Sequence, residues 1–211
     1  MIPLDSPEQN NVAREPARSL AICVFCGSRP GRRAGVTAAA QQVGALIGQR
    51  GHELVYGGSG SGLMGEVARA ARVNDALITG YVPRYIYELE LGIELPPQTL
   101  HITSDLFERK QRMIEHGDAF IALPGGYGTL DEIFEVLSLG YLRITAKPLI
   151  LLNAENYWDG LVDLANSLHE EGFADRAPGP SFRITRSPDE AITMAEESTK
   201  VLARDSMDMA R

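Results

Sequence analysis

At 211 residues the chain stays within the size at which one α/β domain shares a single core, and 44% hydrophobic with 23% charged residues excludes a disordered or membrane-embedded chain. A formal net charge of -8 argues against a binder of nucleic-acid polymers but leaves room for a single nucleotide in a local cationic pocket. No apolar run approaches the ~20 residues of a membrane span, and the polar N-terminus carries no secretory signal, so a cytoplasmic location is expected.

Residues 1–18 are rich in Pro, Asn, Glu and Arg without periodicity and read as a flexible leader. A single domain is expected over 19–204, with a loose tail at 205–211. Residues 20–25 (LAICVF) form a buried strand that ends at Cys26-Gly27-Ser28, and a helix follows over about 36–50. Cys23 and Cys26 make a C-x-x-C. Lying three apart on a strand they face opposite ways, and no second pair completes a zinc tetrahedron, so the pair is read as structural.

Gly51 stops the first helix, 52–56 gives a second strand, and a glycine-rich turn from Gly57 to Gly65 leads into a helix ending near Val73. Gly60-x-Gly62-x-x-Gly65 fits the dinucleotide fingerprint, but the acidic residue that would grip a ribose is missing from 76–83. No lysine follows the glycines, so the turn is not a P-loop either. Residues 84–99 alternate Tyr, Ile and Leu with Glu and contain a proline pair; a lid, a short helix and an oligomer contact all fit, and the sequence does not choose which of Glu88, Glu90 or Glu94 would reach a ligand.

Residues 104–140 hold the densest arrangement: an amphipathic helix with Arg109 and Lys110, a buried strand (118–123), the turn Pro124-Gly125-Gly126-Tyr127-Gly128-Thr129, and a second helix. Only three of the 20 basic residues are lysines, so Lys110 beside Arg109 stands out. Thr129 is a natural N-cap, which would turn the first amides of that helix toward the strand's carboxyl edge and attract a phosphate. Thr129-x-x-Glu132 also reads as a plain capping box, in which Glu132 only satisfies an amide. Beyond it, 147–153 is a buried strand, 156–171 an amphipathic helix carrying Trp158, 172–180 a connector, 181–184 a last strand, and 187–202 a capped helix. The stripe Ile133, Val136, Leu137, Gly140 and Tyr141 is read as core. Alternating strands and helices predict an α/β, Rossmann-like, doubly wound parallel sheet with helices on both faces and ligands at its carboxyl edge.

Glu108-Arg109-Lys110, Met113 and Pro124-Gly125-Gly126-x-Gly128-Thr129-x-x-Glu132 resemble the signature of the LONELY GUY (LOG) family of cytokinin riboside 5'-monophosphate phosphoribohydrolases, whose members often carry the label "lysine decarboxylase-like". The resemblance spans roughly residues 20 to 172, and Gly57, Gly58, Gly62, Leu63, Met64 and Gly65 match the family's glycine run after the second strand. It implies that Glu132 and Arg109 are catalytic. It implies a substrate-binding set of Lys110, Gly125, Gly126, Tyr127, Gly128, Thr129, Leu130, Asp131 and Ser138, joined by Gly57, Gly58, Gly62 and Met64 and by Gly27 and Ser28 after the first strand. The partner would be a nucleoside monophosphate, with no metal and no cofactor, in a homodimer.

Hydrolysis of a nucleobase–ribose bond passes through an oxocarbenium-like sugar, so a carboxylate at Glu132 would stabilise the growing charge and orient a water. Arg109 cannot serve as a general acid, because a guanidinium stays protonated, and is expected to act electrostatically. Leu106-Phe107 stands where plant members have Met-His, which bears on the preferred base: N-substituted adenine or plain adenine. Two other readings compete. One is a non-catalytic carrier of a nucleotide or of molybdenum cofactor. The other is pyridoxal-phosphate decarboxylation, for which Lys110 is a poor Schiff-base lysine.

Overall fold

The computed structural model describes residues 19–174 and 182–209, with side chains as far as residue 203. The expected leader, and residues 175–180 of the expected connector, lie outside the described residues.

Among the described residues seven short segments form strands, most of them apolar: β1 (Ala21–Phe25), β2 (Glu53–Tyr56), β3 (Leu77–Pro83), β4 (Thr99–Thr103), β5 (Ala119–Ala122), β6 (Leu149–Leu152) and β7 (Arg183–Thr185). The helices between them are α1 (Ala34–Gln49), α2 (Gly62–Val73), α3 (Arg84–Leu89), α4 (Leu106–His116), α5 (Tyr127–Tyr141), α6 (Asp159–Glu170) and α7 (Pro188–Met209). All pairings are parallel, in the order β4-β3-β2-β1-β5-β6-β7. β1 sits in the middle, with Ile22 opposite Leu54 on one side and Ala119 on the other.

The period of two along each strand divides the core. Ile22, Val24, Leu54, Tyr56, Ile121 and Leu123 pack toward α1, α2 and α7. Cys23, Phe25, Val55, Phe120 and Ala122 pack toward α4, α5 and α6. Cys26 belongs to the first layer and Cys23 to the second; both thiols are free and buried, and burial pushes their pKa values up. A helix-covered parallel sheet of this kind is the doubly wound α/β architecture that the alternation predicts.

Four local details depart from the sequence reading. β4 was not foreseen: its residues TLHIT sit on the sheet's edge and are mostly exposed, so no apolar run marks it. Helix α7 continues past the expected end near residue 202 as far as Met209, so the expected loose tail is helical to that point. Helix α6 starts at Asp159 after a 3-10 turn, Ala154–Asn156, rather than at residue 156. Of the stripe read as core, Ile133 and Val136 are buried, whereas Tyr141 is exposed.

Candidate active site

Two turns leave the middle of the sheet toward opposite faces. After β1 the chain passes through Gly27 and Ser28 into α1, and after β5 it passes through Pro124, Gly125 and Gly126 into α5. Neighbouring parallel strands whose connections diverge leave a crevice between their carboxyl ends. Here the crevice is pinned by the Gly27 amide donating to the Pro124 carbonyl (3.1 Å) and the Leu63 amide donating to the Gly27 carbonyl (3.0 Å). A cleft of about 690 Å³ opens there, lined by Gly27, Ser28, Leu63, Pro124, Gly125 and Gly126, with Arg29, Arg32, Arg33, Tyr127 and Tyr157 among its other walls.

Helix α5 begins two residues before the expected N-cap. Its N-cap is Gly126, and no side chain caps it. Thr129 lies inside the first turn, buried, with its hydroxyl so close to Gly125 that a Cβ there would lie 2.0 Å from it. The first helical bond runs from the Leu130 amide to the Gly126 carbonyl (3.0 Å), which leaves the amides of Gly126, Tyr127, Gly128 and Thr129 without a partner among the described residues. The N-cap role for Thr129, and with it the capping box with Glu132, is therefore overturned. A reciprocal cap does form at α4, where Asp105 accepts from the Glu108 amide and Glu108 accepts from the Ser104 amide, each at 2.8 Å; the latter bond holds the Glu108 carboxyl down at about 2.

Released from capping, Glu132 turns to α4. Arg109 Nη2 donates to Glu132 Oε1 at 3.0 Å, and the two side chains are only 13% and 10% exposed. Burial raises the Glu132 carboxyl to about 7; Arg109 opposes that rise, Asp131 adds to it and Lys110 opposes it. The guanidinium lies over Gly57, where an added Cβ would come 2.3 Å from Nη2 and 2.8 Å from the Met64 sulfur, so only bare backbone fits beneath it. Arg109 Nε is buried and has no partner among the described residues. Helix α4 is held in place at its far end by Lys147, whose ammonium donates to the carbonyls of Ile114 (2.9 Å) and Glu115 (2.8 Å).

The remaining expected site residues divide. Lys110 binds Asp131 (2.9 Å) and Glu135 (3.1 Å), so it and Asp131 brace α4 against α5 beside the Arg109–Glu132 pair. Leu130 packs against the core below. Ser138 is exposed and lies ~120° around the helix from Glu132, away from that pair. Gly58, at φ 72, packs on Val82 and Leu100. Gly62, at φ 53, meets the backbone of Ser28 and so closes the crevice from the α2 side. Of the three glutamates between 84 and 99, Glu90 is the one that bonds the glycine turn, accepting from Ser59 Oγ at 2.8 Å. Gln98 accepts from Tyr56 (2.9 Å), and Ile93, Glu94 and Leu95 pack over Gly60, so this stretch is a short helix and a strap across that turn.

Arg109 and Glu132 are not part of the cleft's lining. They sit on the α4–α5 side of the sheet while the cleft opens toward α1, and the turn at 124–126 that lines the cleft leads directly into α5, which bears Glu132. The sequence reading missed Tyr157 and the arginines at 29, 32 and 33. The basic run Arg29-Pro30-Gly31-Arg32-Arg33 was a legible signal, whereas nothing near Tyr157 in the sequence connects it to a turn 32 residues away.

A family model described as "Possible lysine decarboxylase" matches residues 64–195. A probable cytokinin riboside 5'-monophosphate phosphoribohydrolase of Oryza sativa subsp. japonica is 39% identical over 185 residues, 88% of this chain and 79% of that protein. A cytokinin riboside 5'-monophosphate phosphoribohydrolase of Arabidopsis thaliana is 39% identical over 166 residues, 79% of this chain and 77% of that protein. Among solved structures, the molybdenum cofactor binding protein of Rippkaea orientalis superposes with a TM-score of 0.64 at 22% identity, covering 85% of this chain and 97% of that one. At that identity the likeness speaks for the fold alone.

Proposed function

The chain belongs to the family described as possible lysine decarboxylase, which its phosphoribohydrolase relatives share with it in sequence, and on that premise we propose that it hydrolyses the N-glycosidic bond of adenosine 5'-monophosphates, plain or N-substituted. The products are the free base and ribose 5-phosphate. The observation that carries this reading is the buried Arg109–Glu132 pair standing beside a helix start with unpaired amides.

The chemistry follows from the two halves of the site. Unpaired amides at the N-terminus of α5 attract the 5'-phosphate, with the helix dipole adding to the field. That anchor places the ribose toward the turn of helix that bears Glu132. As the bond to the base lengthens, positive charge grows on the sugar, and an ionised Glu132 stabilises it and orients the attacking water. Arg109 stays charged throughout; it holds one Glu132 oxygen and leaves the other free for water. Gly57 and Met64 form the bed beneath the guanidinium, Gly58 packs on Val82 and Leu100, and Gly62 closes against Ser28, which with Gly27 forms the facing wall of the crevice. The protein is further proposed to act in the cytoplasm, where two free cysteines are the ordinary state, and as a homodimer.

Glu132→Gln tests the reading, because it keeps the shape and removes the charge. Release of base from isopentenyl-adenosine monophosphate and from AMP should fall by a factor on the order of 10² to 10⁴, with the fold and nucleotide binding retained. Unchanged turnover would reduce Glu132 to a structural partner of Arg109. A carrier of nucleotide or molybdenum cofactor would show binding without release of base in the wild type.

A further inference from the structure

We propose that Tyr157 is a positioning residue: by holding the Gly125 carbonyl, its hydroxyl aims the Gly126 amide and the first turn of α5 at the substrate's phosphate. The inference rests on the reading that this turn grips a 5'-phosphate.

The Tyr157 hydroxyl donates to the Gly125 carbonyl at 2.5 Å. In a planar trans peptide the carbonyl and the following N–H point in opposite directions, so fixing the one fixes the other. The neighbouring carbonyls are also occupied: Pro124 accepts from the Gly27 amide, and Gly126 accepts from the Leu130 amide. The peptide between Gly125 and Gly126 is the one in this series whose carbonyl is held by a side chain. Both of its residues are glycines, whose backbone would otherwise be the freest in the turn.

The chain spends conformational energy to put that hydroxyl there. Glu155 and Asn156, the two residues before Tyr157, both sit in the left-handed region at φ 55 and 58, which residues bearing a Cβ disfavour. Surrounding contacts hold them: Arg33 donates to the Glu155 carbonyl (2.6 Å) and Arg186 donates to the Asn156 side chain (2.8 Å). Asn153 accepts from the Trp158 amide (2.7 Å) and donates to Asp159 (2.7 Å). Trp158 then donates through its indole to the Ala122 carbonyl (3.2 Å), and the Tyr157 ring packs edge-on against it at 4.9 Å. Consecutive side chains therefore grip β5 at its end and just past it. Trp158 is buried and serves the core, whereas Tyr157 is half-exposed and lines the cleft.

Tyr157→Phe keeps the ring on Trp158 and removes only the hydroxyl. Calorimetric titration of wild type and variant with AMP and with adenosine should show AMP affinity falling roughly five- to tenfold and adenosine affinity changing by less than about twofold. In turnover the same factor should appear in KM for AMP, with kcat changed less than about threefold. Equal weakening of both ligands, or no weakening of either, overturns the proposal. So does a wild type that binds AMP no more tightly than adenosine, since there is then no phosphate grip to aim. A wild type that binds AMP through its phosphate but releases no base would defeat the hydrolase reading alone and leave the Tyr157 comparison intact.

Discussion

A carboxylic acid with as little solvent as Glu132 prefers to hold its proton, and Arg109 at 3.0 Å only partly reverses that preference, so the group titrates at about 7 instead of its ordinary 4.5. Activity that needs the ionised form should rise with pH through about 7, visible as the acidic limb of kcat/KM for AMP, and Arg109→Lys should displace that limb. Stability runs the other way. Between 4.5 and about 7 the folded chain binds the proton and the unfolded chain does not, so this group's contribution is fully present below 4.5 and is lost as pH rises through about 7. The loss is on the order of 3 kcal/mol at most. Glu132→Gln should flatten that part of the pH–stability curve, read as Tm at pH 5 and pH 8.5, and should raise Tm at the higher value. The residue pair itself was legible in the sequence. What was not legible was whether Glu132 caps its own helix, because that turns on an N-cap displaced by three residues, from Thr129 to Gly126.

At the scale of elements, the displaced start has a physical cause. Tyr127-Gly128 looks like turn because glycine is there, yet Gly128 occupies an ordinary position in the first turn of α5, and a Cβ on it would meet nothing within 4 Å. The fold does not need glycine at that position; the proposed grip of a phosphate on the bare amides would. Gly128→Ala should therefore raise stability by about 0.5–1 kcal/mol in denaturant titration while weakening AMP binding, a trade that a purely structural glycine would not show. Gly57 is the contrasting case, since the guanidinium of Arg109 fills the place of its side chain. The sequence reading picked out both glycines as one kind of feature. The distinction between room for a ligand and room for an arginine exists only once α4 lies across the β2–α2 turn. The same holds for β4 and the strap before it, whose partly exposed residues carry no periodicity strong enough to read.

For the whole molecule, alternation of strands and helices was enough to predict a parallel sheet covered on both sides, but the order β4-β3-β2-β1-β5-β6-β7 depends on pairings between distant residues such as Ile22 and Ala119. That order puts the turns after β1 and β5 side by side and sends α1 and α5 to opposite faces, which is what opens the crevice. It also leaves apolar side chains on the outside of the α4–α5 layer: Phe107, Phe134, Tyr141, Leu142 and Ile144 are all exposed, and Phe134 and Tyr141 are seven residues apart on one helix face. Scattered surface apolar residues are ordinary, but aromatic residues aligned along one helix beside a run of further apolar ones are what a self-complementary interface uses. If α5 pairs with its copy across a twofold axis, sedimentation of the wild type should give twice the 23.0 kDa of the chain at micromolar concentration. Phe134→Asp combined with Tyr141→Asp should shift it to 23.0 kDa, because two carboxylates from each copy would be brought against their equivalents in place of two apolar rings. A wild type that sediments as a single chain across that concentration range would refute the dimer, and a doubly substituted chain that still pairs would move the interface to another face.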